Sequence, residues 1–447
     1  MGGLSLYFAT RKVRTGDDFV LAGRQLPLWV LVGTLLATWV GSGTVIGGAA
    51  FTYQHGPLAT LFFFYGGVPL GILILYFFLA EKVRGLSAYT IPEVLERRYG
   101  PVGRVFAAVC ILLAYVGITS YQFIGGGYVL HLTTGIPVNA GSAITAVFIV
   151  IMATTGGLFS VAYTDAFSAI LIVTGLAFGL PFALAHAGGP GFFHQLPPVE
   201  RTWTGGLTDL QALGYFLPLL MLLLGEQNMY QRFAAARDTG TARKSNIGFF
   251  VGAIVVLTLT TLLASTAVIL YPGIVPDTAV LRVALGSMPF PVGALLLAAA
   301  VAFIVTTGDS YLLSCSTNVT EDFFVRFIDP GASQSTRLWI TRGVVVTLGL
   351  VAWVLGTFFP SVLAIQIYSY TMYGAAITPA VLAAILWPRV TAAGGIASML
   401  LGGAGTLFWE LGLHKPGNLN SILFSLPLSV AALVLVSLVT SQRQLED

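Results

Sequence analysis

The stretch FIVTTGDS, Phe303 to Ser310, sits in the middle of a long apolar segment running from about Phe290 to Phe324. Phe303, Thr306, Thr307 and Ser310 stand at i, i+3, i+4 and i+7, so they share one face of a helix. Thr306 and Thr307 set two hydroxyl oxygens side by side on that face, with Asp309 at its edge. A carboxylate halfway along a membrane helix costs roughly 2.5–3.5 kcal/mol on insertion scales, so it normally faces a partner or a water-filled path. Hydroxyls, a carboxylate and loosened carbonyls make an all-oxygen site, which suits a hard cation. The plainer alternative is that Thr306, Thr307 and Ser310 only bond carbonyls of the preceding turn or a neighbouring helix.

Composition carries the argument outward. The 447 residues are 56% hydrophobic and 9% charged, with a mean hydropathy of +0.88. Soluble domains carry about 25% charged residues, so this is the composition of a polytopic membrane protein. Cys110 and Cys315 both fall in apolar segments and suggest neither a disulfide framework nor a metal clip. No CxxC, HExxH, P-loop or GxSxG pattern occurs, and nothing supports an enzyme.

Twelve segments are long enough to cross about 30 Å of hydrocarbon. They lie near 27–50, 59–79, 105–130, 138–155, 161–185 and 210–230, then 248–270, 290–324, 338–358, 362–386, 392–411 and 421–439. Alternating the loops puts only Arg201, Arg282 and Lys415 on one side, leaving the other 18 of 21 Lys and Arg on the opposite one. That asymmetry predicts a cytoplasmic location for the basic side and for both termini. Before the first span, Gly3 to Ala9 followed by Arg11, Lys12 and Arg14 reads as the tail of a hydrophobic helix.

Two spans carry interruptions. ATWVGSGTVIGG, Ala37 to Gly48, places Gly41 and Gly43 at the centre of the first. Transporters break helices at such points, and freed carbonyls then coordinate ions; a GxxxG packing seam at Gly43 and Gly47 is the alternative. In the sixth, Pro218 is followed by LLMLLLGEQN, with Gly225, Glu226, Gln227 and Asn228 ending the apolar run. Glu226 either marks a second break or caps a helix at the interface. Interruptions five spans apart are what two five-helix repeats of opposite orientation produce.

At this point a resemblance is legible. GDDFVLAGRQLPLWVLVGTLLATWVGSGTVIGG (Gly16–Gly48), IPEVLERRYG (Ile91–Gly100), GGLFSVAYTDAF (Gly156–Phe167), YQRFAAARD (Tyr230–Asp238), TTGDSYLLSCSTNVTEDFF (Thr306–Phe324) and WPRVTAAGGIA (Trp387–Ala397) resemble, in order, motifs of the sodium:solute symporter family. The resemblance implies the inverted-repeat fold also seen in the bacterial leucine transporter, with one extra helix before the core. Residues 1–26 would be the remnant of that helix and a linker. Residues 27–186 and 208–388 would be the two inverted repeats, and 389–447 two C-terminal spans with a tail. The expected fold is therefore all-α and polytopic: a five-plus-five core with two discontinuous helices, plus two C-terminal helices.

Carried over residue by residue, the family's sodium site implies carbonyls of Ala37, Val40 and Phe303 and hydroxyls of Thr306 and Thr307. A second sodium, bound in some members, would use Asp165, Asp309 and Ser310, although many members have small hydroxyls where Asp309 sits. By depth, Thr44, Phe63, Gln122, Leu222 and Tyr368 or Tyr373 are expected to line a solute site between the broken spans. The run Leu219 to Leu224 is wholly apolar, which argues against a sugar. No intramembrane Arg or Lys is expected to meet an anionic solute.

The function implied is sodium-coupled import of a small organic solute by alternating access, in a plasma membrane of the bacterial inner-membrane type. Expected partners are the sodium ion, the solute and the lipid bilayer, with no nucleic acid; the sequence sets no oligomeric state. The rivals are a passive channel and a transporter-like sensor, the latter disfavoured because the chain as read ends in a short polar tail at Asp447.

Overall fold

The computed structural model describes residues 21–443 apart from 87, 89, 156 and 157. The expected helix tail before Arg11 lies outside the described residues. Among the described residues there is no β-sheet, and ten helices are long and apolar enough to cross a membrane. Two shorter apolar helices, Leu28–Trp39 and Val138–Thr154, supply the first half of span 1 and span 4.

Span 1 comprises the helix Leu28–Trp39, a π-helical turn Gly43–Gly48 and the helix Ala49–Ala59. Span 2 runs on to Arg84; the turn between them falls at Gly56, whose φ of 78° and contact with the Glu200 carbonyl leave no room for a side chain. Span 3 is longer than the hydropathy suggests, Ile91–Thr134, because the amphipathic IPEVLERRYG helix joins it across a kink at Gly100. Spans 4 and 5 are Val138–Thr155 and Leu158–His186. Span 6 is split into Asp209–Gly225 and Gln227–Ala235. Span 7 is Thr239–Leu270 and span 8 is Phe290–Thr317, extended by a π-helical stretch to Ile328. Spans 9 to 12 are Gln334–Gly356, Val362–Leu386, Ala392–Gly412 and Ile422–Arg443.

Starts are set by side-chain caps. Thr208 and Gln211 form a capping box at span 6, and Asp238 accepts from the Thr241 N–H at span 7. Small residues set the close crossings, as membrane packing requires: a Cβ on Gly33 would lie 2.5 Å from the Ala166 Cα, so spans 1 and 5 meet almost backbone to backbone. Large apolar side chains such as Phe77, Phe78, Ile144 and Phe178 point outward. They form the lipid-facing surface of a multi-pass membrane protein.

The loop ends segregate as the alternation demands. At the basic end Arg104 bonds Glu96 and Asp322, Arg326 bonds Glu96, and Arg84 donates to the Ala236 carbonyl. At the other end Tyr53 donates to the Tyr271 carbonyl, His55 meets the Gly205 carbonyl, and Asp277 accepts from the Val362 N–H. One residue departs from the pattern. Arg232, counted with the basic loops, is fully buried, because the half-helix Gln227–Ala235 is enclosed by its neighbours along its whole length.

Candidate functional site

The first span breaks where its glycines cluster. Val40 leaves the helix with extended torsions (φ −87°, ψ 107°), and helical bonding resumes only with Thr44 and Val45, both donating to the Gly41 carbonyl. A helix end leaves carbonyls without intrahelical partners, and here they are buried, so something must meet them. Thr307 does: its Oγ1 lies 3.0 Å from the Ala37 carbonyl and 3.2 Å from that of Val40. One hydroxyl proton can serve only one of the two. Thr306 Oγ1 sits 3.4 Å from the Phe303 carbonyl, one turn back on span 8. Thr307 thus meets Ala37 and Val40 where the broken span crosses span 8, while Thr306 bonds back to Phe303 in its own preceding turn. The set is oxygen only, largely neutral and dry, chemistry that fits a partly dehydrated alkali ion.

Gly41 is what lets the strands of this site touch. A Cβ there would stand 2.9 Å from both the Gln122 amide nitrogen and the Thr307 hydroxyl. Gln122, on span 3, accepts from the Ser42 N–H at 2.9 Å and holds the unwound segment. Its amide nitrogen has no hydrogen-bond partner. From span 10, Gln366 approaches Gly43 and Gly47, and its Oε1 is likewise unpartnered. Tyr65 donates to the Thr44 carbonyl, and Tyr370 meets the Tyr121 hydroxyl and stacks on Trp39.

The second break is at Glu226 (φ −70°, ψ 124°), fully buried and receiving the Tyr311 hydroxyl. The interfacial-cap reading of Glu226 is therefore corrected: its side chain caps nothing and faces span 8. Tyr373 ties this break together, accepting from the Gln227 N–H and donating to the Gly225 carbonyl.

The remaining expected residues divide. Thr44, Gln122, Leu222 and Tyr373 are buried, and the first two and the last lie at the breaks. Tyr368 is half-buried beside Phe359, nearer the outer loops; Tyr370, two residues on, faces the first break instead. Phe63 is half-buried on span 2. Gln366 and Tyr370 were missed, since nothing but register on span 10 distinguishes them from neighbours. Asp165 and Ser310 meet, but through Arg232, whose Nη2 donates to both, at 3.2 and 3.0 Å. Asp309 is buried with one oxygen unpartnered.

Two cavities open toward the end poor in Lys and Arg. One, of about 330 Å³, is bordered by Gln54, Gln211, Tyr215, Asp277, Ile367 and Asn420; the other, of about 260 Å³, lies beside Tyr128 and Trp353. Toward the basic end the cavities beside Ser314 and Gln231 hold only about 10 and 20 Å³.

Comparisons with known proteins identify the family and the fold. The sequence profile of the sodium:solute symporter family matches residues 19–402. An osmoregulated proline transporter of Bacillus subtilis is 25% identical, with 98% of this chain and 92% of the relative covered. A sodium/proline symporter of Escherichia coli is 24% identical over 94% of this chain and 89% of its own length. Among solved structures, a Na+-coupled sialic acid symporter in a substrate-bound outward-open state superposes with a TM-score of 0.81 at 18% identity, covering 98% of this chain and 94% of its own. A nucleobase-cation-symport-1 family transporter in a closed conformation gives 0.61 at 12% identity, covering 96% and 95%. The chain belongs to the sodium:solute symporter family, and is a sodium-coupled membrane transporter of a small organic solute rather than an enzyme.

Proposed function

We propose that Ala37, Val40 and Phe303, through carbonyls, and Thr306 and Thr307, through hydroxyls, hold the coupling sodium ion. The observation that carries this reading is the double approach of Thr307 Oγ1 to the Ala37 and Val40 carbonyls. An ion bound there joins the broken span to span 8, so occupancy stabilises one arrangement of the two. Solute binding beside the same break then raises sodium affinity, and sodium raises solute affinity by the same factor. Alternating access follows from rocking of the broken spans against spans 3 and 8, with the basic end cytoplasmic and inward sodium flow driving uptake. Residues 27–186 and 208–388 act as the two inverted repeats of that machine.

The solute we infer is a zwitterionic amino or imino acid. Relatives named as proline transporters support this, and so do two unspent groups beside the first break. Gln122 offers an amide N–H and Gln366 an amide oxygen, a donor for a carboxylate and an acceptor for an ammonium. The apolar run Leu219–Leu224 supplies the wall for an aliphatic ring.

Purified protein should gain stability with sodium, about 2.7 kcal/mol at one hundred times Kd. Thr306→Ala combined with Thr307→Ala abolishes that gain and sodium-driven uptake of labelled proline into proteoliposomes. Uptake by the wild type that is unchanged when sodium is replaced by potassium refutes the reading.

A further inference from the structure

Glu226 is a buried acid that sodium binding leaves without a task. It stands at the second break, with Oε1 met by the Tyr311 hydroxyl and Oε2 without a hydrogen-bond partner. Among the described residues no Lys or Arg forms an ion pair with it. Arg232, the guanidinium on the half-helix that follows, is committed to Thr34, Asp165, Ser310 and the Asn228 carbonyl. The titratable groups near Glu226 on other spans are phenols: Tyr115 and Tyr121 on span 3, Tyr311 on span 8, Tyr370 and Tyr373 on span 10. Phenols are neutral near pH 7 and supply no countercharge. A lone carboxylate in a dry interior costs far more than its protonated form, so the empty site holds Glu226 as the neutral acid.

The same phenols lead to the first break. The Tyr121 and Tyr370 hydroxyls lie 3.1 Å apart, and the Tyr370 hydroxyl and the Gln366 amide nitrogen both border Gly43. A solute whose carboxylate meets Gln122 and whose ammonium meets Gln366 brings a positive charge into the phenol cluster that also surrounds Glu226. Gln366 offers that ammonium a neutral oxygen only, and a buried ammonium also needs a countercharge. We propose, resting on the zwitterionic solute inferred above, that Glu226 supplies the countercharge by giving up its proton as the solute binds. The step is an exchange. The Glu226 O–H bond breaks, its proton passes to solvent at the outer end, and the carboxylate left behind pairs with the solute ammonium. When the solute leaves at the basic end, the carboxyl takes a proton from water there. Water-sized pockets of about 10 and 20 Å³ at that end are lined by Asn228 and by Gln227, the two residues that follow Glu226. One proton thus moves outward for each solute imported, and the dry site never holds an unpaired charge.

Titration calorimetry of L-proline binding to the detergent-solubilised full chain, in saturating sodium and in buffers of different ionisation enthalpy, counts the protons released. About one proton per proline is expected, and affinity should rise by up to about tenfold per pH unit while the empty carboxyl stays protonated. Glu226→Gln keeps an acceptor for Tyr311; it should release no proton and bind proline with an affinity independent of pH. Wild-type binding without proton release, or release that persists in Glu226→Gln, overturns the exchange. If Glu226→Gln does not fold, the wild-type proton count decides. No binding of proline in sodium overturns the zwitterion reading itself, a failure distinct from binding without release.

Discussion

Gly41 shows how much one hydrogen atom decides. With no side chain it lets Gln122 and Thr307 close on the unwound backbone from two other spans. Gly41→Ala must push one of them back, because both lie under 3.0 Å from where the new methyl would stand. We expect sodium affinity to fall by about tenfold or more, equivalent to about 1.4 kcal/mol, with the protein still monodisperse and helical; a sodium titration followed by thermal shift measures it. Asp277, in the outer loop before span 8, makes a different point. Burial raises its carboxyl to about 6, opposed by hydrogen bonds from the Val362 N–H and Tyr128. Its folded pKa lies above its unfolded one, so the folded state binds more protons, and stability falls as pH rises from about 4 to 6. Asp277→Asn keeps an acceptor for Val362 and removes the charge. The variant should equal the wild type near pH 4 and exceed it above pH 6, by about 1–3 kcal/mol; melting curves across that range check the sign.

At the scale of elements, each broken span is held by partners that replace its lost helical bonds. In span 1 these are Thr307, Gln122 and Tyr65; in span 6 they are Tyr373 and the Thr378 hydroxyl, which donates to the Met221 carbonyl. The supports come from spans 2, 3, 8 and 10, so a break is a property of the assembly rather than of the segment. Tyr373→Phe strands the Gln227 N–H and the Gly225 carbonyl in the interior. The cost of orphaned buried groups is about 1–3 kcal/mol, and the Tm of the purified protein should drop accordingly. Loss of transport should exceed the loss of stability, since the second break is displaced in every molecule that still folds. The π-helical turn Gly43–Gly48 and the stretch Asn318–Ile328 flank the same core. Gly43 and Gly47, four residues apart and so on one face, both face Gln366.

For the whole molecule, the two ends differ in what lines them. Cavities of about 330 and 260 Å³ reach inward from the end poor in basic residues, while at the opposite end Arg104, Glu96, Asp322 and Arg326 form a chain of ion pairs among the described residues. The Arg104–Asp322 pair joins span 3 to span 8 at 2.8 Å with Asp322 fully buried, and Thr90 adds a bond at 2.9 Å. Removing one partner of a buried pair leaves an uncompensated charge, about 3–5 kcal/mol. Asp322→Ala should therefore loosen the basic end. A cysteine placed at Ala50, on the larger cavity, should label with a membrane-impermeant maleimide in the wild type, and one at Ser314 should not. In the Asp322→Ala background the Ser314 probe should become reactive from the basic side. The native Cys110 and Cys315 are buried and should stay silent in both.

Sequence by itself determined the membrane class, the order of the spans and the place where the first span breaks. Those signals are local or periodic: apolar length, charge asymmetry between loops, a helical face at Phe303–Ser310 and a glycine pair at Gly41 and Gly43. Tertiary structure alone decided which polar residues meet. Arg232 reads as a loop cation until the half-helix that carries it is seen to be buried along its whole length, and Glu226 reads as a cap until Tyr311 is seen to donate to it. Tyr368 and Tyr370 differ only by two positions of register on span 10, yet one faces Phe359 and the other the first break. A buried charge or hydroxyl takes its meaning from the partner that compensates it, and the side chains that meet Arg232 and Glu226 lie 67 to 198 residues away along the chain.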